Sequence, residues 1–388
     1  MASQPPNDLP ADLRDAMASL PGDPQSAREK ARAGLASPTP DPRFWIIAGQ
    51  ASRMLEDWQD LEIVADGLLT AAPNAVLGLI WKGDALSQRG ELRLASAHYA
   101  GAKRAAADAD VPLPDATVRD LERVDLELSE IRRTYSFYLE EELRKKGITT
   151  ENTSRSFAEA FAALAGTHEP EMGLQRPTML FYPGLPESRF YDKTDFEWAA
   201  ALEAETDAIR SELHGVIEQD ADFRPYIEGT AEEAAAAAVQ VQDGSGLSAY
   251  LLWDHGRPVE DHLGRCPATA AALEPVPQPD LTGRCPVAAF WRLSGGIEIP
   301  ARNGMLNCRL IAHLPLIVPP GAGVIVDGER RDWNAGELLI FNDSIGHQIR
   351  NESDEDAIVL LFDVARPEIG EQDWAALSAL FAAVDSFR

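Results

Sequence analysis

Two histidines in the C-terminal half of the chain are the residues best suited to chemistry. His313 ends a segment with strand character that also contains Arg309 and Ile311, and His347 follows Asp343 by four residues. Because side chains alternate between the two faces of a strand, we expect Arg309, Ile311 and His313 on one face. Imidazole and carboxylate groups are both ligands of non-heme iron. The spacing therefore leaves open a metal site built from His347 and Asp343.

Simpler structural roles compete with a ligand role for these histidines. A histidine on a buried strand is more often a satisfied core residue than a metal ligand. His347 follows an Asn-Asp-Ser run, which is typical of an ordinary turn. A further pair, His255 and His262, lies among acidic residues, and such charge clusters are usually solvated loops. Both kinds of interpretation stay open on these residues alone.

The elements that must position these side chains have the pattern of an all-β domain. After residue 247 the sequence breaks into short apolar segments separated by turns rich in glycine and proline. The predicted strands are 250–253, 288–293, 308–318, 323–326, 338–341 and 358–364. No long helices alternate with them, which favours a sandwich or a jelly-roll barrel over a parallel sheet.

The N-terminal half predicts paired helices that recur at the tetratricopeptide period of about 34 residues. Such a unit needs small residues where its helices cross and one aromatic residue to fill the groove. The better-matched unit supplies Gly83, Gly90, Ala95, Tyr99 and Ala102, and a looser unit before it supplies Trp45, Gly49 and Pro73. An ordinary helical bundle is the alternative. Two units are fewer than the roughly three that a solenoid needs, so the module is expected to lean on a neighbour.

The remaining segments complete the predicted domain organisation. A long amphipathic helix is predicted at 117–146 and ends at Gly147, and the alanine run at 234–238 is predicted to be helical. Order is expected to begin near Phe44, after a leader with one short helix at 13–20. The predicted domains are a flexible leader 1–40, helical repeats 41–110, a helical connector 111–170, a β-domain 171–370 and a C-terminal helix 371–388.

Composition excludes several classes of function. The 388 residues carry a formal net charge of −28 with 45% hydrophobic residues, as expected of a folded chain of two domains. This charge repels phosphate backbones, so we expect no nucleic-acid partner. The sequence shows no secretory signal, no apolar run of membrane-spanning length and no metal-finger spacing among its three cysteines. We therefore predict a cytoplasmic protein without a membrane partner, and leave open whether Cys266 and Cys285 pair.

A set of motifs from 175 to 370 resembles the aspartyl/asparaginyl β-hydroxylase family. The motifs are Arg176-Pro177-Thr178, Phe181-Tyr182-Pro183-Gly184-Leu185-Pro186, Asn307-Cys308-Arg309-Leu310 with His313, Phe341-Asn342-Asp343-Ser344 with His347, and Phe362-Asp363-Val364. The resemblance implies a double-stranded β-helix, a jelly-roll fold that follows the helical module. It also implies Fe(II) and 2-oxoglutarate as cofactors, and hydroxylation of Asp or Asn side chains in peptides or proteins.

The resemblance implies two metal-binding histidines, and this chain has one of them. One position matches His347. The other opens a His-x-Gly-x-x-Asn element, which here reads Arg302-Asn303-Gly304-Met305-Leu306-Asn307. A guanidinium is permanently charged and has no lone pair to donate to a cation, so Arg302 cannot replace imidazole. We expect the single histidine to hold iron poorly.

The positions that the resemblance assigns to 2-oxoglutarate are also changed. A serine and two arginines are replaced by Trp291, Ile311 and Ala357, and only His313 is retained. Arg309 shares the strand face of His313, so Arg309 could supply the missing positive charge, and Arg302 and Arg350 could add to it. The resulting hypothesis is a metal-free pocket that binds a dicarboxylate or an acidic side chain through guanidinium groups.

Two functions from different classes follow from these observations. The first is a family hydroxylase that acts on peptide Asp or Asn, with an activity that is altered or lost. The second is a pseudoenzyme that recognises a peptide or protein partner through its helical repeats and an arginine-containing pocket. Metal binding separates the two, and the replaced residues favour an altered or non-catalytic protein.

Overall fold

The computed structural model describes residues 9–149, 151–218, 223–225, 246–281 and 283–387. The chain divides into two compact units, residues 1–135 with 387–388, and residues 136–386. The alanine run predicted to be helical at 234–238 lies outside the described residues. Within the described ranges, no helix combines the length and the apolar character needed to cross a bilayer.

The first unit is built from helical hairpins that recur at a fixed interval. Its helices are α1 (Ala11–Ser19), α2 (Pro24–Leu35), α3 (Arg43–Met54), α4 (Trp58–Ala71), α5 (Val76–Gln88), α6 (Leu92–Ala107) and the first part of α7 (Asp115–Lys145). The second helix of each hairpin begins at residue 24, 58 or 92, a constant interval of 34 residues. This arrangement fits the predicted tetratricopeptide-like module.

Glycines allow the close helix crossings within and between these hairpins. A Cβ atom at Gly49 would lie 2.2 Å from the ring of Trp81, and one at Gly83 would lie 2.5 Å from the ring of Tyr99. Neither distance is possible for a real side chain, so both rings can pack only against bare backbone. The two glycines are separated by the repeat interval, which explains why the sequence pattern detected this region.

The predicted flexible leader is wrong for residues 11–35, apart from the short helix that was predicted at 13–20 and corresponds to α1. These residues form α1 and α2, and Leu13, Ala16, Ala27 and Ala31 are buried in the core of the first unit. Asp23 caps α2 by accepting a hydrogen bond from the Ser26 amide, and proline follows at the first helical position. The described part of the unit therefore contains three hairpins rather than two, which reaches the number that stacked repeats usually need.

The second unit contains two antiparallel sheets. Its strands are β1 (Phe190–Tyr191), β2 (Arg224–Pro225), β3 (Leu247–Asp254), β4 (Arg257–Pro258), β5 (Ala288–Leu293), β6 (Glu298–Arg302), β7 (Arg309–Ile317), β8 (Ala322–Val326), β9 (Glu329–Asp332), β10 (Leu339–Phe341), β11 (His347–Asn351) and β12 (Ala357–Ala365). The larger sheet has the strand order β1-β10-β7-β12-β5-β3-β2, with β4 paired to β3, and the smaller sheet has the order β6-β11-β8-β9.

Helices cover the outer face of the larger sheet. The helices of this unit are the end of α7, α8 (Arg155–Leu164), α9 (Ala199–Ala204), α10 (Thr206–Glu218), α11 (Glu260–Arg265), α12 (Pro267–Leu273) and α13 (Glu371–Ser386). Leu310, Ala312 and Leu314 of β7 face an outer core that includes Leu202 and Leu213 from α9 and α10. Ile311 of the same strand faces the core between the two sheets. The alternation predicted for β7 is therefore present.

The predicted fold class is confirmed, since a helical N-terminal half precedes a jelly-roll domain. Strand β5 has the predicted bounds, and β7, β8, β10 and β12 differ from the predicted segments by one residue at one or both ends. Strand β3 begins three residues earlier and ends one residue later than the segment predicted at 250–253. The long helix was also predicted within two residues of its observed bounds, and it ends before Gly147, whose φ is +74°. Strands β6, β9 and β11 were not predicted because their polar residues lack an apolar alternation.

Candidate functional site

Arg302 and His347 are direct cross-strand neighbours in the smaller sheet. Arg302 is the last residue of β6, His347 is the first residue of β11, and the two are partners in the antiparallel register. His347 is buried, and its Nδ1 lies 3.2 Å from the carbonyl oxygen of Ile345. A carbonyl accepts only, so Nδ1 carries a proton and donates to it. When the ring is neutral, Nε2 therefore carries the free lone pair. The half-buried side chain of Arg302 starts from the neighbouring strand β6.

His313 lies in an aromatic cluster inside the barrel. Its side chain is fully buried, and its ring centroid lies 5.8 Å from Trp291, 5.4 Å from Trp333 and 5.1 Å from Phe341. Phe341 also approaches His347, at 5.8 Å between ring centroids. Aromatic rings at these separations are packed against one another. Aromatic rings therefore line much of the interior around His313.

Three of the positions that the resemblance assigns to the co-substrate belong to the hydrophobic core. Trp291, Ile311 and Ala357 are all buried in the cluster between the two sheets. Ile311 is paired with Phe341 of β10 and Asp363 of β12, and Ala357 is paired with Leu293 of β5. These side chains stabilise the sheet packing and carry no charge that could pair with a carboxylate; the indole N–H of Trp291 is the one polar group among them.

Arg309 already holds two carboxylates. Its Nη1 lies 3.1 Å from Oδ2 of Asp343, and its Nε lies 3.3 Å from Oδ1 of Asp363. All three side chains are at most 4% exposed. Asp363 also accepts a hydrogen bond of 2.6 Å from the amide of Val287. The positive charge of Arg309 is thus compensated by two carboxylates inside the barrel, which argues against its predicted role in binding an external anion.

The three cysteines are free and buried. Burial raises the pKa of the Cys266 thiol to about 12, with a smaller contribution from the nearby Glu212 carboxylate. Burial likewise raises the pKa of Cys308 to about 12 and that of Cys285 well above its usual range. Protonated, enclosed thiols are poor nucleophiles and poor metal ligands. The possible pair of Cys266 and Cys285 is not formed in this structure.

The sequence profile described as Aspartyl/Asparaginyl beta-hydroxylase matches residues 203–367, which include both sheets apart from β1. The β-domain belongs to this family. The chain is 30% identical over 191 residues to an ornithine lipid ester-linked acyl 2-hydroxylase from Rhizobium tropici, covering 48% of this chain and 64% of the relative. It is 30% identical over 218 residues to aspartate beta-hydroxylase domain-containing protein 1 from Mus musculus, covering 54% of this chain and 57% of the relative.

The match to a further family member is shorter. The aspartyl/asparaginyl beta-hydroxylase of Mus musculus is 30% identical over 134 residues, which cover 34% of this chain and 18% of that protein. The chain therefore spans less than two thirds of the length of the relatives it matches. Among solved structures, a cupin 2 conserved barrel domain protein from Salinispora arenicola has 15% identity and a TM-score of 0.22, covering 42% of this chain and 98% of that one. At this score the fold assignment rests on the strand order above.

The residues of this member of the β-hydroxylase family do not fit a two-histidine iron centre. The structure brings together, across β6 and β11, the two positions that the resemblance assigns to metal ligands, and one of them holds a permanent cation. The alternative carboxylate, Asp343, is in an ion pair with Arg309. In the part of the chain that the structure describes, no three His, Cys, Asp or Glu side chains converge on a point that could hold a metal ion.

Two structural roles within the family motifs were missed by the sequence reasoning. Asn307 accepts a 2.6 Å hydrogen bond from the amide of Tyr182, and its Nδ2 donates to Gln175 Oε1 and to the Tyr182 carbonyl at 2.8 Å each. It thereby fastens the segment that contains Gln175 and Tyr182 to the barrel. The other missed role is that of Asp363 as the second partner of Arg309. An inward-facing arginine in a chain with two motif aspartates was the available signal.

Proposed function

We propose that this protein has lost the Fe(II)- and 2-oxoglutarate-dependent hydroxylation implied by its family and acts as a metal-free binding protein for a peptide or protein partner. The observation that carries the proposal is the cross-strand pair of Arg302 and His347. A guanidinium in this place repels a divalent cation and donates no lone pair. One imidazole without a second protein ligand is a weak site, because protein metal sites rely on several converging donors.

The positions of the co-substrate site support the same proposal. A dicarboxylate needs cationic or hydrogen-bonding groups at both ends. Here Trp291, Ile311 and Ala357 contribute apolar surface to the core, and His313 is enclosed by aromatic rings. Restoring one residue would therefore leave the 2-oxoglutarate positions incomplete. The changes at the metal and co-substrate positions are mutually consistent with a protein that no longer uses either group.

A peptide or protein partner is the occupant that the rest of the chain supports. The first unit stacks three helical hairpins at a constant interval, and such repeats commonly present extended binding surfaces. The family resemblance implies peptide or protein substrates for the β-domain as well. The chain's charge of −28 favours partners with basic surfaces and disfavours nucleic acids. A cytoplasmic location stays a prediction from the sequence.

The test is calorimetric titration of the metal-stripped full chain under nitrogen with Fe(II), and with Mn(II) as a redox-silent probe, each with and without 2-oxoglutarate. We expect no saturable binding by the natural chain at submillimolar metal. Arg302→His supplies a second imidazole opposite His347 and is expected to create measurable Mn(II) binding. The double variant Arg302→His/His347→Ala is the matched control and should lose it again.

Two results decide the proposal. Tight one-to-one metal binding by the natural chain, strengthened by 2-oxoglutarate, would overturn it and make a remodelled hydroxylase the better account. Failure of Arg302→His to gain any binding, with the fold intact by circular dichroism, would show that Arg302 is not the residue that prevents metal binding. Peptide-array binding in the presence of EDTA then measures partner recognition independently of metal.

A further inference from the structure

A cleft on the outer side of the larger sheet is separate from the barrel interior. It has a volume of about 710 Å³ and lies between the end of β12, the turn at 277–280 and the first turns of α13. Phe196, Trp198 and Trp374 form its aromatic walls. Phe196, Trp198 and Val364 belong to the outer core, which faces away from His313 and His347. Both the volume and the largely apolar walls are typical of small-molecule sites.

A buried arginine lines this cleft. The side chain of Arg366 is fully buried, its Nη1 donates to the Pro186 carbonyl at 3.2 Å, and its Cζ lies 5.4 Å from the Tyr191 ring centroid. The nearest carboxylate oxygen, on Glu368, is 3.8 Å from Nη1, beyond hydrogen-bond distance. Among the described residues, Nε and Nη2 have no hydrogen-bond partner. A buried guanidinium with two vacant donors is costly unless an acceptor is supplied.

The charge of the lining points to the chemistry of that acceptor. The charged residues among those that line the cleft are Arg366, the exposed Lys146 and the exposed Asp280. Among the lining residues the two cations outnumber the one carboxylate, which favours an anionic ligand in a chain that is otherwise strongly negative. The Nε and Nη2 donors of a guanidinium form the fork that matches a carboxylate. Tryptophan and phenylalanine walls require an apolar remainder of the ligand.

We propose that this cleft binds a free monocarboxylic acid with an apolar body, whose carboxylate is held by Arg366 and whose body packs between Trp198 and Trp374. The site is independent of the Arg302–His347 pair. It is therefore expected to work in metal-free protein, whatever the outcome of the metal titration. A phosphate ion carries more charge and no apolar surface, so it uses only a small part of the cleft.

Calorimetry on the full chain tests the site with octanoate as the probe. Octan-1-ol serves as the probe without charge, and inorganic phosphate as the anion without an apolar body. We expect saturable one-to-one binding of octanoate, and binding of octan-1-ol that is weaker by about tenfold or more, the effect of losing a charged hydrogen bond. Arg366→Met should weaken octanoate by a similar factor and leave octan-1-ol unchanged.

Further variants keep the test decisive if Arg366→Met does not fold. Ser378→Trp adds a bulky side chain to the cleft wall without removing any contact, and it should block octanoate. Lys146→Ala should weaken binding slightly, whereas Lys145→Ala is the matched control, since Lys145 pairs with Glu142 and does not line the cleft. Absence of saturable octanoate binding, equal affinity for octanoate and octan-1-ol, preferential binding of phosphate, or unchanged binding by folded Ser378→Trp would each overturn the proposal.

Discussion

Replacing Arg309 by methionine is expected to lower the free energy of unfolding of the β-domain by about 3–5 kcal/mol, the usual cost of removing one partner from a buried ion pair. Methionine keeps most of the side-chain length but removes the guanidinium. Asp343 and Asp363 then remain inside the barrel, each almost fully buried, without the cation that lies 3.1 and 3.3 Å from them. Because Arg309 pairs with two buried carboxylates at once, the expected loss lies toward the upper end of this range.

The magnitude is large enough to measure in two ways. For a domain of this size, 1 kcal/mol corresponds to about 2–4 °C in the melting temperature, so the variant should melt roughly 10 °C or more below the natural chain. Urea unfolding followed by tryptophan fluorescence gives the free energy directly, since Trp291 and Trp333 lie in the same barrel. Circular dichroism reports whether the helices of the first unit respond as well.

A matched control separates burial from the loss of any arginine. Arg350 pairs with Glu298 at 2.9 Å, and both side chains are partly exposed, so Arg350→Met should cost about 0–1 kcal/mol. Adding Asp343→Asn and Asp363→Asn to Arg309→Met removes the two buried carboxylate charges. The triple variant should therefore recover part of the stability that Arg309→Met loses. The reasoning fails if Arg309→Met costs no more than Arg350→Met, or if the triple variant is no more stable than the single one.

The following predictions test the packing of the first unit and the chemistry of the thiols. Gly49→Ala should cost about 1–3 kcal/mol in thermal or urea unfolding, because its Cβ would overlap the Trp81 ring. Gly101→Ala meets only ordinary contacts at 3.6 Å and should instead stabilise the unit by about 0.5–1 kcal/mol, so equal effects would contradict the packing argument. Because burial raises the pKa values of Cys266 and Cys308 to about 12, native protein should not react with Ellman's reagent at neutral pH, whereas denatured protein should expose three thiols. Raised pKa values mean that the folded state favours the neutral thiols. The contribution of these thiols to stability is present below the unfolded pKa of about 9 and is lost as the pH rises toward 12. Rapid native labelling would contradict this.

The strands that the sequence predicted are those with two buried faces. Strands β5, β7 and β12 have long apolar runs bounded by turn residues, and their positions follow from that pattern. Strand β9 is a run of four exposed charged residues, and β6 is also largely exposed. Such strands form because neighbouring strands supply hydrogen bonds, and the sequence carries no local signal for that.

The sequence carries a local signal for helix α2 within the segment that was predicted to be a flexible leader. The Asp23-Pro24 pair is a helix start, with an N-cap side chain followed by proline at the first helical position. The proline and serine content of the surrounding region favours loose order and so conflicts with this signal. The buried residues of α1 and α2 are mostly alanines, which produce little hydrophobic periodicity in the sequence. The periodicity alone therefore does not predict this additional hairpin.

At the site, residue identities were predictable and partnerships were not. The motif alignment named Arg302 as the residue at a ligand position, and the register of β6 with β11 places it opposite His347. The pairing of Arg309 with Asp343 and Asp363 joins β7 to a turn and to β12, which are distant in the chain. No spacing rule predicts such a triad, so the pairing of Arg309 with two carboxylates could not be anticipated from the sequence.

The same triad gives a folding reason for the motifs that this chain shares with the family. Arg309, Asp343 and Asp363 are buried and joined by ion pairs, so removing one of them should cost about 3–5 kcal/mol, the usual measure for a broken buried ion pair. Arg302 is only half-buried, at the end of β6. Arg302→His is therefore expected to lower the melting temperature by less than Arg309→Met does, even where it alters metal binding.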